Sequence, residues 1–277
     1  MTAQPQPFPS AADRGEPVLL REERGRITVL TLNRPQARNS LSEALLTALG
    51  AALDDIAADP GIHVAVLAGA PPAFCAGHDL RELTARRADA DGGHAYFGGL
   101  MRLCSEVMQK IVRCPKPVVA AVNGVASAAG CQLVASCDLA VAGESSRFAT
   151  PGVNIGLFCS TPMVALSRNI GRKQAMEMLL LGEMLPASRA LEFGLVNRVV
   201  PDGQVMDAAL GLAEAVASKS PLTLRIGKEA FYAQAEMPLA EAYDYASRVM
   251  TENMMARDAE EGIGAFLEKR APRWQGC

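Results

Sequence analysis

The chain has 277 residues, 49% of them hydrophobic and 21% charged, with a formal net charge of −3. That length and apolar share suffice for one substantial core with room for a smaller appended module. The slightly acidic balance excludes whole-surface attraction to nucleic acid or membrane, so an anionic ligand needs a local basic cluster.

Residues 1–17 are rich in proline and small polar residues and carry no apolar run. They predict a disordered tail rather than a signal or transit peptide. Residues 26–32 alternate as a strand, and Asn33-Arg34-Pro35 ends it. Ser40-x-x-Glu43 predicts a capping box for a helix over 41–58, with Leu41, Leu45, Leu49, Leu53 and Ile56 on one face. After Pro60-Gly61, residues 62–69 predict a buried strand. A helix over 94–113 ends before Pro115-Lys116-Pro117, and residues 118–122 predict another strand. Ala129 to Ser136 reads as a helix, followed by a strand over 138–142. Strand, glycine-containing turn and helix thus recur without a fixed period. After Pro201 the pattern is helical over 206–218, 222–236, 239–257 and 258–269, with breaks at Pro221 and Pro238. Tyr243, Tyr245, Met250 and Met254 on these helices suit either a core or a contact between copies. No segment reaches the ~18 apolar residues of a membrane span.

Cysteines 75, 104, 114, 131, 137, 159 and 277 are odd in number, scattered, and never spaced C-x-x-C. They predict reduced, buried thiols and a cytoplasmic location. The only histidines are His63, His78 and His94, without an H-E-x-x-H motif, so no metal site is expected.

Two stretches stand out, Phe74-Cys-Ala-Gly-His-Asp79 and Asn123-Gly-Val-Ala-Ser-Ala-Ala-Gly-Cys-Gln132. Each places small residues where a strand turns into a helix and can present bare backbone N–H groups. Two such donors converging on one point make an oxyanion hole, which stabilises charge developing on a carbonyl oxygen. Each taken alone is also an ordinary tight turn.

Those stretches, with Asn33-Arg34-Pro35, Pro117 through Asn123-Gly124, Cys137-Asp138-Leu139-Ala140 and Ala265-Phe-Leu-Glu-Lys-Arg270, resemble the enoyl-CoA hydratase/isomerase (crotonase) family. The resemblance runs from about residue 18 to 270. It implies an α/β fold, the crotonase (ClpP-like) spiral of ββα units, over residues 18–205. It further implies a C-terminal helical trimerisation region over 206–277, a homotrimer or hexamer, and an acyl-CoA as substrate with no separate cofactor. By the same resemblance the backbone N–H groups of His78 and Ala129 are the two hole donors. Relatives often carry three glycines where this chain has Ala128-Ala129-Gly130; the donor survives, with less backbone freedom. The role carried over to His78 uses its main chain, although an imidazole also suits acid/base work near neutrality.

Hydratases of the family use two glutamates to hold and activate water, each proton transfer contributing about 10²–10⁴ in rate. Here those positions hold Gln132 and Gly152. A carboxamide binds water but does not take its proton near neutral pH, and glycine has no side chain. A third family position falls at Ser160, whose hydroxyl could orient water or the acyl chain. Ser160 or Cys159 could also serve as a nucleophile, but no base partner is evident and no G-x-S-x-G occurs. The simpler reading has Ser160 and Thr161 capping the helix that leads into Met163 and Leu166. Asp79 and Asp138 read as structural hydrogen-bonders.

For the CoA end, the resemblance matches Arg81 to a cation near the nucleotide phosphates. It matches Phe266 and Lys269 to a pair reaching the adenine end from a neighbouring subunit. Arg34 and Arg38 lie where the first loop can approach the same region. Each arginine or lysine among them is equally readable as solvated surface charge.

The expected protein therefore grips a thioester carbonyl and, as an enzyme, works through a thioester enolate. Hydratase, isomerase, lyase and hydrolase chemistry stay open, as does a carboxylate such as Glu183 or one from a neighbouring subunit. The alternatives are a non-catalytic acyl-CoA binder or assembly partner and, third, a thioesterase using Ser160 or Cys159.

Overall fold

The computed structural model describes residues 15–277, so most of the expected 1–17 tail lies outside the described residues. Strand β1 (Leu19–Arg24) pairs antiparallel with β2 (Ile27–Leu32). Helix α1 (Glu43–Ala58) leads to β3 (Val64–Gly69), and α2 (Leu80–Ala85) and α3 (His94–Arg113) lead to β4 (Val118–Val122). Short β5 (Val125–Ser127) and α4 (Ala129–Ser136) precede β6 (Leu139–Gly143) and β7 (Arg147–Ala149). Helices α5 (Ser160–Leu166) and α6 (Arg172–Leu181), the two-residue β8 (Leu185–Pro186), α7 (Ala187–Phe193) and β9 (Arg198–Val200) follow. Helices α8 (Val205–Ala217), α9 (Pro221–Gln234), α10 (Leu239–Met254) and α11 (Arg257–Leu267) complete the order.

The main sheet runs β1-β2-β3-β4-β6-β9, parallel except for β1, and a second sheet runs β5-β7-β8. Period-two alternation gives the main sheet two apolar faces. Ile27, Val29, Val64, Val66, Val119 and Val141 face Val205, Ala209 and Ala213 of α8. Leu30, Leu32, Leu67 and Ala120 face α1, α3 and α4. Each large side chain buried there contributes about 1.5–3 kcal/mol. Because α8 closes one face of the sheet, the expected boundary at 205/206 is not a break in packing.

Helix α1 starts two residues later than its sequence suggests. Ser42 is the N-cap, its Oγ accepting the Leu45 N–H, and Glu43 is the first helical residue. Ser40 is instead drawn into the site loop, its carbonyl and hydroxyl facing Arg34. Likewise Cys159, not Ser160 or Thr161, precedes α5, and no side chain caps that helix.

The last helices cover little of their own apolar surface. Lys228 is the one buried residue of α9, and α10 has none. Tyr243, Met250 and Met254 are 69%, 62% and 54% exposed, so a core role within this chain is ruled out for them. No helix among the described residues is long and apolar enough to cross a membrane.

Candidate active site

The segment between β3 and α2 is stitched in place on both sides. Cys75 N–H donates to Val125 O (3.0 Å), and Ser127 N–H donates to Cys75 O (2.9 Å). On the opposite side Ala76 N–H donates to Arg38 O, and Gly77 O accepts the Leu41 N–H at 2.7 Å. Gly77 has φ +97°, which reverses the local alternation of the chain. A trans peptide points its C=O and N–H in opposite directions. With Gly77 O turned to Leu41, the His78 N–H on the same plane faces the side where Cys75 pairs with β5.

The Ala129 N–H lies on that side too, at the first position of α4. A Cβ on Gly77 would stand 3.6 Å from Ala129 N and 3.0 Å from Ala128 Cβ, so the two turns abut. Neither the His78 nor the Ala129 N–H has an acceptor among the described residues. Ala129 is 1% exposed, and unpaired buried N–H groups are rare in folded proteins. Gly130 permits this approach, since a Cβ there would sit 2.1 Å from Cys75 O. Ala128 adopts φ 49°, ψ −116°, a glycine-favouring conformation, while its N–H donates to Ala149 O at 2.8 Å. Of the expected glycine triplet, it is position 128 where the alanine carries the strain.

Polar atoms without partners among the described residues gather around these peptides. Gln132, one turn into α4, is 4% exposed, and its Oε1 has no hydrogen-bond partner. Thr150 follows the Ala149 that receives the Ala128 N–H, and its buried Oγ1 is also unpartnered. Both ring nitrogens of His78 are buried without partners, and burial lowers the imidazole pKa, keeping it neutral. Thr150 had no sequence signal beyond its place beside Pro151-Gly152.

Gly152 is not an empty slot for a carboxylate. A Cβ there would meet Leu157 O at 2.8 Å and Cys159 Sγ at 3.0 Å. Burial pushes the Cys159 thiol pKa up, against a smaller opposing effect of the Gly152 N–H, so it is held as the thiol. Ser160 is exposed and its Oγ donates to Phe158 O at 3.3 Å. Neither Ser160 nor Cys159 is hydrogen-bonded to a histidine or carboxylate among the described residues. Glu183 is exposed, next to a Gly182 that packs on Pro151 Cα.

The basic residues divide. Arg34 is corrected from phosphate ligand to internal latch: its Nη2 donates to Asp79 Oδ2 at 2.8 Å and its Nη1 to Ser40 O at 2.6 Å. Both side chains of the pair are 11% exposed, so the guanidinium charge is spent inside the loop. Asn39 reinforces the latch, accepting the Arg34 N–H and donating to Ala70 O and Ala73 O. Arg38 and Arg81 are exposed and free of carboxylate partners among the described residues. Phe266 is 82% exposed and Lys269 is also exposed, far out on the end of α11.

Burial acts to raise the Asp79 pKa, but the Arg34 contact and charge and the N–H groups of Arg81 and Glu82 together bring it below the ordinary carboxylate value. A depressed folded pKa adds stability above the unfolded value that disappears as pH falls through the folded one. Asp79→Asn is expected to cost about 1–3 kcal/mol at neutral pH. In urea titrations the gap to the native chain should shrink as the pH falls below the ordinary carboxylate range and through the depressed folded value. A gap constant with pH would refute the latch.

A sequence model of the enoyl-CoA hydratase/isomerase family matches residues 22–277. The rat protein named enoyl-CoA hydratase domain-containing protein 3, mitochondrial, is 46% identical over 245 residues, 88% of this chain and 80% of its own. A putative enoyl-CoA hydratase of Thermus thermophilus is 39% identical over 92% of this chain and 100% of its own. Among solved structures, an enoyl-CoA hydratase of Mycobacterium smegmatis superposes with TM-score 0.89 at 49% identity, covering 94% of this chain and 99% of that one. Human enoyl-CoA hydratase domain-containing protein 3 gives 0.88 at 44% identity, over 93% and 100%. The rat, mouse and human relatives are named mitochondrial, which overturns the expected cytoplasmic location. Buried free thiols report a reducing environment and do not distinguish one such compartment from another. By sequence and fold alike, with its motifs in order, this chain belongs to the enoyl-CoA hydratase/isomerase family.

Proposed function

We propose that this protein binds an acyl-CoA by its thioester carbonyl between the His78 and Ala129 N–H groups. The proposal also holds that it lacks the two-carboxylate machinery for hydration. The observation that carries this reading is the pair of unacceptored N–H groups on one side of abutting turns. Such donors lower the energy of an enolate on the thioester oxygen, and removing one typically costs about 10²–10³ in rate. Gln132 Oε1 and Thr150 Oγ1 supply polar positions for an ordered water or a polar acyl substituent. Neither exchanges a proton at neutral pH as a glutamate does. Arg38 and Arg81, with Phe266 and Lys269 from a neighbouring copy, are the groups proposed for the nucleotide end.

The test pairs binding with turnover. Acetyl-CoA should bind the native protein, and Ala129→Pro should weaken it about 10–100-fold, because proline deletes that N–H at a helix position where it is tolerated. Crotonyl-CoA hydration should be slower by about 10²–10⁴ per missing acid than in a two-glutamate enzyme. Hydration at the full rate overturns the second half of the proposal, and no acetyl-CoA binding overturns the first. Gly152→Glu is a poor rescue because Leu157 O and Cys159 Sγ fill its path, so Gln132→Glu is the informative gain-of-function variant.

We further infer that copies associate through α9–α11. Phe231, Leu239, Tyr243, Met255, Phe266 and Leu267 are each at least 62% exposed there, more large apolar surface than a monomer leaves in water. A single-chain mass by light scattering would overturn this.

A further inference from the structure

A cavity lies at the opposite end of the main sheet from the two donor N–H groups. It has a volume of about 420 Å³, and its lining includes Arg26, His63, Lys116, Arg225 and Trp274. Arg26 immediately precedes β2, His63 precedes β3, and Lys116 lies two residues before β4. Gly77 and Ala129 follow the other ends of those strands. Five residue steps along β3 separate the two ends by about 17 Å.

Three cations line this cavity and no acidic residue does. None of Arg26, Lys116 and Arg225 has a carboxylate partner within salt-bridge distance among the described residues. Like charges confined this way repel, and an anion placed among them relieves the repulsion. His63 is 9% exposed; its Nδ1 makes only a 3.4 Å contact with Ala217 O, and its other ring nitrogen has no partner among the described residues. Burial lowers its pKa, the Ala217 carbonyl opposes this, and the nearby Arg26 and Lys116 charges lower it further. The first turn of α9 adds to the positive field of those charges, since Pro221 and Leu222 form part of the wall.

The walls are held rigidly. Trp274 Nε1–H donates to Ser218 O at 2.9 Å, and the indole packs against Gly262. The buried Asp258 carboxylate accepts from the Gln275 N–H (2.7 Å), the Gly276 N–H (3.0 Å) and Ser220 Oγ–H (2.5 Å). Its oxygens are turned to those donors, so it braces the tail without lining the cavity. Lys116 O accepts from Lys228 Nζ at 3.1 Å, which fixes the loop that carries the third cation.

We propose that this cavity is a binding site for a phosphorylated small molecule of nucleotide size, separate from the thioester site. The phosphates lie among Arg26, Lys116 and Arg225, with His63 beneath them. The indole of Trp274 offers an apolar face to the organic part. The volume falls within the range of small-molecule sites.

Trp274 is the only tryptophan in the chain, so its fluorescence reports this cavity alone. The full-length protein would be titrated with ADP and with inorganic pyrophosphate at low salt, by fluorescence and by calorimetry. Saturable binding of either is expected, with a rise in Tm, weakened about tenfold by Arg26→Gln and again by Arg225→Gln. Both arginines are exposed, so these variants keep the fold, and circular dichroism verifies it. Tighter binding of ADP than pyrophosphate supports contact with the indole; equal binding supports phosphate recognition alone. Saturating acetyl-CoA should leave the ADP affinity unchanged. No saturable signal with either probe overturns the site. Displacement of ADP by acetyl-CoA overturns its independence and makes it part of the CoA site. Neither result depends on whether hydration occurs.

Discussion

Replacing Lys228 with methionine is expected to destabilise the fold by about 3–5 kcal/mol, the cost of leaving one member of a buried ion pair uncompensated. Its ammonium has three hydrogens and three acceptors: Asp138 Oδ2 at 2.6 Å, Ile111 O at 2.9 Å and Lys116 O at 3.1 Å. The Lys228 side chain is 6% exposed and that of Asp138 16%. Ile111 lies in the last turn of α3, so the lysine also satisfies a carbonyl that the helix end leaves orphaned. Methionine keeps the length of the stem but leaves the Asp138 charge without its cation and two carbonyls without this donor. Asp138 retains the Val118 N–H at 2.7 Å and the Tyr232 hydroxyl at 2.9 Å, which partly offset the loss. Burial, then Asp138, raise the Tyr232 pKa, so that hydroxyl stays a donor at any ordinary pH. Chemical denaturation of Lys228→Met, Asp138→Asn and the double variant gives the coupling energy directly. The double variant should be more stable than the two single costs summed. A loss below about 1 kcal/mol for Lys228→Met would show that the pair behaves as a surface contact.

That network shows which parts of the molecule local sequence could reveal. Alternation at 26–32, the buried-strand reading of 62–69 and the leucine spacing of α1 rest on local signals, and the corresponding elements form. Glycines at strand-to-helix junctions are local too, and they marked both turns of the candidate hole. Pairings between distant residues leave no such trace. Lys228 meets Asp138 across 90 residues, and nothing near either position distinguishes a buried lysine from a solvated one. Arg34 read as a phosphate ligand because its partner Asp79 is 45 residues away. Ser40 matched a capping box, but the Arg34–Asp79 latch claims it and Ser42 caps the helix instead. Gly152 read as a missing side chain, while the fold shows Leu157 O and Cys159 Sγ in the space. The cavity at the other end of the sheet draws on five separated chain segments, which no motif joins.

Gly130→Ala is expected to lower stability at or beyond the top of the ~1–3 kcal/mol range for overpacking a well-filled site. In most helices the same change stabilises by about 0.5–1 kcal/mol, because glycine loses more backbone entropy on folding. The sign reverses here because the added Cβ would stand 2.1 Å from Cys75 O and 2.8 Å from Cys75 C. Both are main-chain atoms, held by the Val125 and Ser127 hydrogen bonds, so no side chain can rotate out of the way. Relief requires α4 to move off the Phe74–Gly77 segment, which carries the Ala129 N–H away from the His78 N–H. Stability and acetyl-CoA binding should therefore fall together. Ala128→Gly, two residues earlier, should behave in the opposite way. It releases a residue held at φ 49°, ψ −116°, a strain of order 1–3 kcal/mol against which the entropy of a glycine is the smaller term. Thermal unfolding with acetyl-CoA calorimetry on both variants separates the causes. If Gly130→Ala unfolds with the native midpoint and binds acetyl-CoA unchanged, the close approach of the two turns is not what aligns their amides. If Gly130→Ala keeps its stability yet loses binding, packing and donor alignment are independent, and the alanine side chain itself blocks the thioester.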